Sequence, residues 1–294
     1  MGKLDSLGRA TFHHIAPLSD VRPTNREIRW LKHIERHGPQ CSAYLHELTR
    51  DTHRCRDTAL RDLQKLRAGG FLSLPTQQLR TERAECNPYV YDLTPKAKRW
   101  LADQGLAELT VRPVGHWWHA YATSCVTGAI DIEAQRLGVR YIPAHEILAR
   151  NGAALAIPIG RERLIPDQLF ALDYGGSFRA FVLEVDRGTE PIQARDRRRT
   201  IDSMLTGYQS AYRSQAAARH YGLRCPIVPL ILCTTPGRAS MMRERATRLG
   251  EPIASVLVVG TAPTDMHRSM PRLFSGGWLR ASGKAFSLGV TVGD

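Results

Sequence analysis

Two short apolar runs around a pair of adjacent glycines constrain the fold of this chain more than any other stretch. The runs span residues 164–172 and 178–185, and Gly175 and Gly176 lie between them. Glycine pairs adopt the positive φ angles of tight hairpin turns, and the flanking Phe, Val and Leu residues are typical of strands. The stretch therefore predicts a β-hairpin.

Three carboxylates lie at one end of this predicted hairpin. Asp167 follows Pro166 near the start of the first strand, and Glu184 and Asp186 end the second. Because strand side chains alternate, Glu184 and Asp186 share one face of the sheet. Crowded anions need a divalent metal, an arginine partner or strong solvation to compensate them, and oxygen ligands favour Mg²⁺ or Mn²⁺. We therefore predict a metal site of these three acids; the alternative is a turn cap at Asp167 and two solvated acids at a strand end.

These residues resemble a known family. The dipeptide Pro166-Asp167, the hairpin and the run EVDRGTE at residues 184–190 are similar to the signature of the replication-relaxation proteins and the related MOBC relaxases of mobilisable plasmids. The resemblance is closest over residues 163–212. It implies a PD-(D/E)xK domain, the core of many restriction endonucleases, in which the acids hold a metal that activates water. On this resemblance Asp167, Glu184 and Asp186 are catalytic residues as well as metal ligands, and the protein is a relaxase that nicks DNA.

The sequence departs from the nuclease pattern at one position. The usual lysine, two residues after the second acid, is replaced by Asp186, and Lys284 is the only lysine after residue 98. We expect an arginine of the run at residues 195–199 to supply the missing charge, although arginine does not readily transfer protons. Two alternatives to a nicking enzyme therefore stay open: a non-cleaving replication initiator or regulator, and a restriction-type double-strand endonuclease.

The charge of the chain indicates its partners. Lysine and arginine number 41 against 28 acids, which gives a net charge of +13. Excess positive charge attracts polyanions, and here it clusters at residues 54–67 and 195–199. We predict that the protein binds double-stranded DNA at an origin sequence; other mobilisation or replication proteins are further candidate partners. The DNA contacts predicted in the second cluster are Arg197, Arg198 and Arg199.

The sequence also indicates the compartment. No apolar run approaches the length of a membrane span, and the first 14 residues lack the apolar core of a secretory signal. The six cysteines contain no C-x-x-C pair, which argues against both a zinc site and a disulfide framework. We predict a cytoplasmic protein with no membrane partner.

Helical periodicity predicts a DNA-binding domain over residues 23–110, after a flexible arm over residues 1–22. Thr24 and Glu27 form the capping box of a first helix. A second helix follows Ser42, and a third begins near Asp51. Strands at residues 71–74 and 89–93 complete a winged helix-turn-helix, whose third helix enters the major groove. The DNA contacts predicted in this domain are Arg54, Arg56, Arg61 and Lys65.

The remaining residues, 111–294, are assigned to the PD-(D/E)xK domain. We expect a helix over residues 116–137, one long helix over residues 192–221, and strands at residues 226–233 and 253–259. Candidate additional metal ligands on the first of these helices are Asp131, Glu133, His116 and His119, each of which is also compatible with an ordinary surface or packing role. The predicted fold class is α/β (α+β): a winged helix followed by a restriction-endonuclease-like mixed sheet.

Overall fold

The computed structural model describes residues 15–80, 88–109, 111, 116–188 and 200–289. The chain divides into two compact units. The first comprises residues 1–110 with 267–270, and the second comprises residues 111–266 with 271–294. None of the helices in the described ranges is both long and apolar enough to cross a membrane.

The first unit combines α-helices with one small antiparallel sheet. Its helices are α1 (Asn25–His37), α2 (Ser42–Leu48), α3 (Arg56–Ala68) and α4 (Pro95–Asp103). Its strands are β1 (Gln40–Cys41), β2 (Leu72–Ser73) and β3 (Val90–Leu93), in the order β1-β3-β2. The capping box at the start of α1 is confirmed, because Glu27 Oε2 accepts a hydrogen bond from Thr24 N at 2.7 Å.

Helix α3 begins later than the sequence predicts. Its N-cap is Cys55, so Arg54 precedes the helix rather than lying on it. The reason is a turn that follows α2, in which His53 N donates to Thr49 O at 2.6 Å. The His53 ring also lies within hydrogen-bond distance of the Thr49 hydroxyl, at 3.1 Å. The chain therefore completes this turn before α3 can start at Arg56.

The end of the predicted N-terminal arm is attached to the first unit. Leu18 N donates to Ala68 O at 3.0 Å. Val21 lies so close to Gly69 that a Cβ on that glycine would come within 2.6 Å of it. Leu18 and Val21, near the end of the predicted arm, therefore contact the first unit, and residues 1–14 lie outside the described part of the chain.

The second unit is built on a seven-stranded mixed sheet. Its helices are α5 (Trp117–Arg136), α6 (Ala144–Asn151), α7 (Ile201–Arg213), α8 (Ala216–Tyr221), α9 (Pro236–Leu249) and α10 (Ile253–Val256). Its strands are β4 (Arg140–Pro143), β5 (Ile157–Ile159), β6 (Glu162–Leu164), β7 (Gln168–Asp173), β8 (Phe178–Asp186), β9 (Ile227–Cys233), β10 (Val258–Thr261), β11 (Trp278–Arg280) and β12 (Ala285–Phe286). The order is β12-β11-β10-β9-β8-β7-β4, with β8, β9 and β10 parallel, while β5 and β6 form a separate pair.

The central hairpin is confirmed as β7 and β8, which pair antiparallel from Gln168↔Leu183 to Asp173↔Phe178. Asp173 Oδ1 accepts hydrogen bonds from both turn glycines, Gly175 N at 3.0 Å and Gly176 N at 2.7 Å. These glycines have φ angles of 84° and 105°, a region that L side chains rarely adopt. The glycine pair and the aspartate before it therefore fix the turn.

The two faces of this sheet are covered by different helices. Ala180 and Val182 of β8 belong to the apolar core formed with α6 to α10. Helix α5 contacts β4 and β8 and contributes no residue to that core, so it covers the opposite face. By strand alternation, Glu184 and Asp186 continue the face of Ala180 and Val182, as predicted. Both acids therefore point toward the helices that follow β8.

Two predicted elements of this unit are wrong. The helix expected over residues 192–221 is divided into α7 and α8, because Gln215 between them has a φ angle of 52°; residues 189–199 lie outside the described chain. The strand expected at residues 253–259 is helix α10 followed by β10. Short apolar runs fit a buried helix as well as a strand, so their periodicity did not decide between them.

Candidate functional site at the end of the central hairpin

Asp167 lies one residue before β7 and continues the hairpin ladder with both its main chain and its side chain. Its N–H donates to Leu183 O at 3.0 Å, and its Oδ2 accepts from Val185 N at 2.8 Å. Its Oδ1 lies 2.8 Å from His119 Nε2, which α5 supplies. The carboxylate is thus fixed at the end of the sheet, with a histidine beside it.

Glu184 lies between the two residues of β8 that Asp167 contacts. The pairing of β7 with β8 begins at Gln168↔Leu183, and Asp167 N also donates to Leu183 O, so the regular register does not extend to Asp167. Asp167 Oδ2 accepts from Val185 N, on the other side of Glu184. Glu184 is only 4% exposed, and its Oε1 accepts a hydrogen bond from Tyr208 Oη of α7 at 2.8 Å. Two of the three predicted ligands therefore lie at the same end of the hairpin, each with a side-chain partner from a neighbouring helix.

Asp186 is bound by an arginine that the sequence did not indicate. Arg238 Nε donates to its Oδ2 at 2.5 Å, and Arg238 Nη2 donates to its Oδ1 at 2.8 Å. Such a two-pronged contact between guanidinium and carboxylate is strong and directional. Asp186 Oδ1 also accepts from Gly188 N at 3.0 Å. Arg238 therefore neutralises this acid.

The position of Arg238 follows from the pairing of β8 with β9. Asp186 pairs with Cys233, the last residue of β9. Helix α9 then starts at Pro236, and Thr235 caps it by accepting a hydrogen bond from Arg238 N at 3.3 Å. In the sequence, the feature that could have indicated this ion pair was a basic residue in the first turn of the helix that follows a buried strand. Recognising its partner required the register between β8 and β9.

The three acids do not converge into one cluster. Within the described ranges, Asp167, Glu184 and Asp186 do not form a group whose ligand oxygens all lie within 4.8 Å of one another. Asp167 contacts the residues on either side of Glu184, whereas Asp186 is bound to Arg238. The structure thus gives each of the three predicted ligands a different side-chain partner.

The other acids of α5 make their hydrogen bonds away from the hairpin. Asp131 Oδ1 accepts from Gln135 Nε2 at 2.8 Å, one turn along the helix. Glu133 Oε2 accepts from Phe274 N at 2.7 Å. Burial raises the pKa of Glu133, and that hydrogen bond partly offsets the rise. The contact with Phe274 attaches the C-terminal half of α5 to the segment before β11.

Two potential nucleophiles of this unit are held in their neutral forms. Burial raises the pKa of the Cys233 thiol to about 12, and the charge of Asp186 adds to the rise. Burial likewise raises the pKa of Tyr212 on α7. Because thiolate and phenolate are the reactive forms, neither group is a good nucleophile at neutral pH.

The predicted DNA contacts of the first unit have different environments. Arg54, Arg56 and Arg61 are exposed. Lys65 instead forms an ion pair with Glu27, whose side chain is 0% exposed. Lys65 therefore stabilises a buried carboxylate at the start of α1. The remaining predicted contacts, Arg197, Arg198 and Arg199, lie outside the described residues.

We expect Lys65→Met to destabilise the protein by about 1–3 kcal/mol, because Glu27 would remain buried without its cation. Glu27 would still accept two hydrogen bonds from Thr24, so the loss of stability should be smaller than for a buried carboxylate without any partner. Urea denaturation measures the change. The matched control is Arg61→Met, which removes one exposed charge from the same helix and should change stability by less than about 0.5 kcal/mol. Equal stabilities of the two variants would contradict the structural role of Lys65.

Comparison with known proteins gives one match. No curated protein and no solved structure matches the chain. A sequence profile of the family described as replication-relaxation matches residues 31–226, which is about two thirds of the chain. The matched range contains Asp167, Glu184 and Asp186, and it ends before Arg238. The chain therefore belongs to the replication-relaxation family.

Proposed function

We propose that this protein binds DNA at an origin of replication or mobilisation and nicks one strand there, using a divalent cation held by Asp167 and Glu184. The observation that carries the proposal is that Asp167 is hydrogen-bonded to Leu183 and Val185, the residues on either side of Glu184, so both carboxylates lie at the same end of the hairpin. Both lie within the family match. MOBC-type mobilisation is the form of the activity that the sequence signature favours.

The architecture of the second unit supports a PD-(D/E)xK fold. An antiparallel hairpin carries the acids, and the parallel strands β9 and β10 follow in the same mixed sheet, separated by helices. Helix α5 precedes the hairpin and covers the opposite face. This order of helix, hairpin, helix, strand, helix and strand is the one that the nuclease core uses.

The donor set at the hairpin end fits a hard divalent cation. Two carboxylates provide the oxygen ligands that Mg²⁺ and Mn²⁺ prefer. Asp186 does not fit this role, because Arg238 occupies both of its oxygens. The proposed ligand set is therefore Asp167 and Glu184.

Asp186 and Arg238 together place a guanidinium beside the position that the missing lysine would occupy. Asp186 occupies the lysine position, two residues after Glu184, and holds a guanidinium on the same face of the sheet. Arginine stabilises the negative charge that develops on a phosphate under attack, but it does not act as a base. We assign Asp186 to positioning Arg238 and Arg238 to binding the scissile phosphate.

Proton transfer then falls to another side chain. A divalent cation, when bound, lowers the pKa of water and stabilises negative charge on phosphate. Histidine is the side chain best suited to accept a proton near neutral pH, and His119 lies beside Asp167. Tyr208 keeps Glu184 oriented through its hydroxyl. Each residue of the proposed site thus has a separate role.

The reaction is tested with supercoiled plasmid DNA that carries the cognate origin. In the presence of Mn²⁺ the protein should convert it to open circles, and a chelator should abolish the conversion. Linear product in place of open circles would indicate the double-strand endonuclease instead.

One observation favours a second candidate function, a replication initiator or regulator that binds DNA without cutting it. Each of the three acids has a protein partner: His119, Tyr208 and Arg238. Acids that are all hydrogen-bonded or ion-paired to other side chains of the protein are also compatible with a nuclease fold that has lost its cleavage activity. The plasmid assay distinguishes the two functions, because a non-cleaving protein would retain DNA affinity and leave the supercoiled form intact with Mn²⁺.

For DNA binding we propose a winged helix-turn-helix in the first unit. Helices α2 and α3 are joined by the turn around His53, and β2 and β3 form the antiparallel pair of a wing. Gln78 in the loop between these strands exchanges two hydrogen bonds with the main chain of Val90, at 2.7 and 3.1 Å. Arg54, before α3, and Arg56 and Arg61, on it, are the proposed contacts.

The double variant Arg56→Gln/Arg61→Gln should bind duplex DNA at least about tenfold more weakly at moderate salt and lower the slope of log K against log salt by about 2, one for each lost phosphate contact. Its matched control is Lys98→Gln/Arg99→Gln, which removes two exposed charges from α4 of the same unit. Fluorescence anisotropy across a salt series measures both quantities. Identical salt slopes in the two variants would show that α3 is not the DNA-contacting helix.

A further inference from the structure

A second charged site lies at the other end of the central strand. A surface cavity of about 620 Å³ is lined by three cations: Arg179 at the start of β8, Arg280 at the end of β11, and Lys284 in the turn before β12. Among the described residues, no aspartate or glutamate lines it. Arg179 and Glu184 are five residues apart on one strand, which is about 16 Å. The cavity is therefore separate from the acidic site.

Arg179 is the unusual member of this group. It is only 7% exposed, yet the described residues give its guanidinium no hydrogen bond and no ion pair. Its contacts are with rings: its guanidinium carbon lies 5.4 Å from the Phe286 centroid and 5.9 Å from the Tyr174 centroid. A guanidinium has five N–H donors, and no nitrogen of Arg179 is both buried and unpaired, so the donors without a protein acceptor are open to the cavity, which has no acidic lining residue in the described part of the chain. The group is therefore complementary to an anion in the cavity.

The surroundings hold this arrangement in place. Arg280 lies 4.9 Å from the same Phe286 ring, and its Nη1 donates to Ser255 O at 3.0 Å. Tyr174 Oη donates to Leu288 O at 2.5 Å, which attaches the segment after β12 to the hairpin. The two arginines are thus fixed by side-chain and main-chain contacts, whereas Lys284 is exposed at the rim.

We infer that this cavity binds the phosphate group of a nucleic-acid strand or of a free nucleotide. Guanidinium groups bind phosphate oxygens in pairs of parallel hydrogen bonds, and a lysine adds a point charge. The volume exceeds what a bare phosphate fills, so there is room for the attached sugar. The proposal that the cavity binds phosphate is independent of the proposed metal site. The proposal that this phosphate belongs to a DNA strand rests on the proposed DNA binding of the protein.

The test uses the full chain and follows its melting temperature with increasing inorganic phosphate, thymidine 5′-monophosphate or a short oligothymidylate, at constant ionic strength set with chloride. A ligand that binds the folded state raises the melting temperature by mass action. Wild type should respond to phosphate, and Arg179→Gln and Lys284→Gln should need about tenfold more ligand, the effect of one lost charge-assisted hydrogen bond. The matched control, Arg161→Gln, removes an exposed charge outside the cavity and should respond as wild type does.

The ligands distinguish the two sources of phosphate. A lower half-saturating concentration for the oligonucleotide indicates a strand, and a lower one for the mononucleotide indicates a nucleotide. Lys284→Gln keeps the inference testable if Arg179→Gln does not fold, since Lys284 is exposed. No response of the wild type beyond chloride, or an unchanged response in Lys284→Gln, would overturn the inference. Lys284→Gln should also keep any response to Mn²⁺, so failure here is distinguishable from failure of the proposed metal site.

Discussion

Replacing Arg238 by glutamine is expected to lower the free energy of unfolding by about 3–5 kcal/mol. The side chain of Asp186 is 5% exposed and that of Arg238 21%, so removing the guanidinium leaves a buried carboxylate without its cation. Urea denaturation of the full chain measures the loss. Arg248→Gln is the matched control on the same helix, because Arg248 is exposed and its contact with Glu244, at 3.8 Å, contributes less than about 1 kcal/mol.

A double variant separates the ion pair from general damage to α9. Asp186→Asn combined with Arg238→Gln removes both charges, so it should be more stable than Arg238→Gln alone. If Arg238→Gln costs no more stability than Arg248→Gln, the ion pair is not a stabilising feature of this site.

The second large effect concerns strand nicking. Asp167→Asn and Glu184→Gln should each reduce the nicking rate at least about 100-fold and leave DNA affinity unchanged. Each variant removes a negative charge that is proposed to hold the cation for strand cleavage and is not needed for DNA binding. Tyr208→Phe keeps both carboxylates and removes only the hydroxyl that orients Glu184, so a smaller reduction, about tenfold, is expected. Rates are measured from the decay of supercoiled plasmid at saturating protein. Wild-type rates in both acid variants would exclude these residues from catalysis.

Local signals predicted the parts of the fold that depend on nearby residues. The Gly175 and Gly176 turn is adjacent to its strands, and the Thr24 and Glu27 capping box acts over one helical turn, so each could be recognised in the sequence. The break at Gln215 could not be predicted, because no glycine or proline marks it and a non-glycine residue rarely adopts positive φ.

The site was predictable only where the hairpin alone defines it. The position of Asp167 and Glu184 at one end of the hairpin follows from that hairpin alone. The partner of Asp186 depends on how β9 pairs with β8, which sets where α9 begins, so Arg238 was missed in favour of the nearer basic run at residues 195–199. The ion pair of Lys65 could not be predicted for a similar reason, because its partner, Glu27, lies on a different helix, α1.

Manganese-dependent melting of the full chain tests the proposed metal site most directly. Saturating Mn²⁺ should raise the melting temperature of the wild type by several degrees, since ligand at 100 times its Kd stabilises the folded state by about 2.7 kcal/mol. Asp167→Asn and Glu184→Gln should lose this response, whereas Asp186→Asn should melt at a lower temperature and keep it. A wild type that melts at the same temperature with and without Mn²⁺ would contradict the metal site at Asp167 and Glu184.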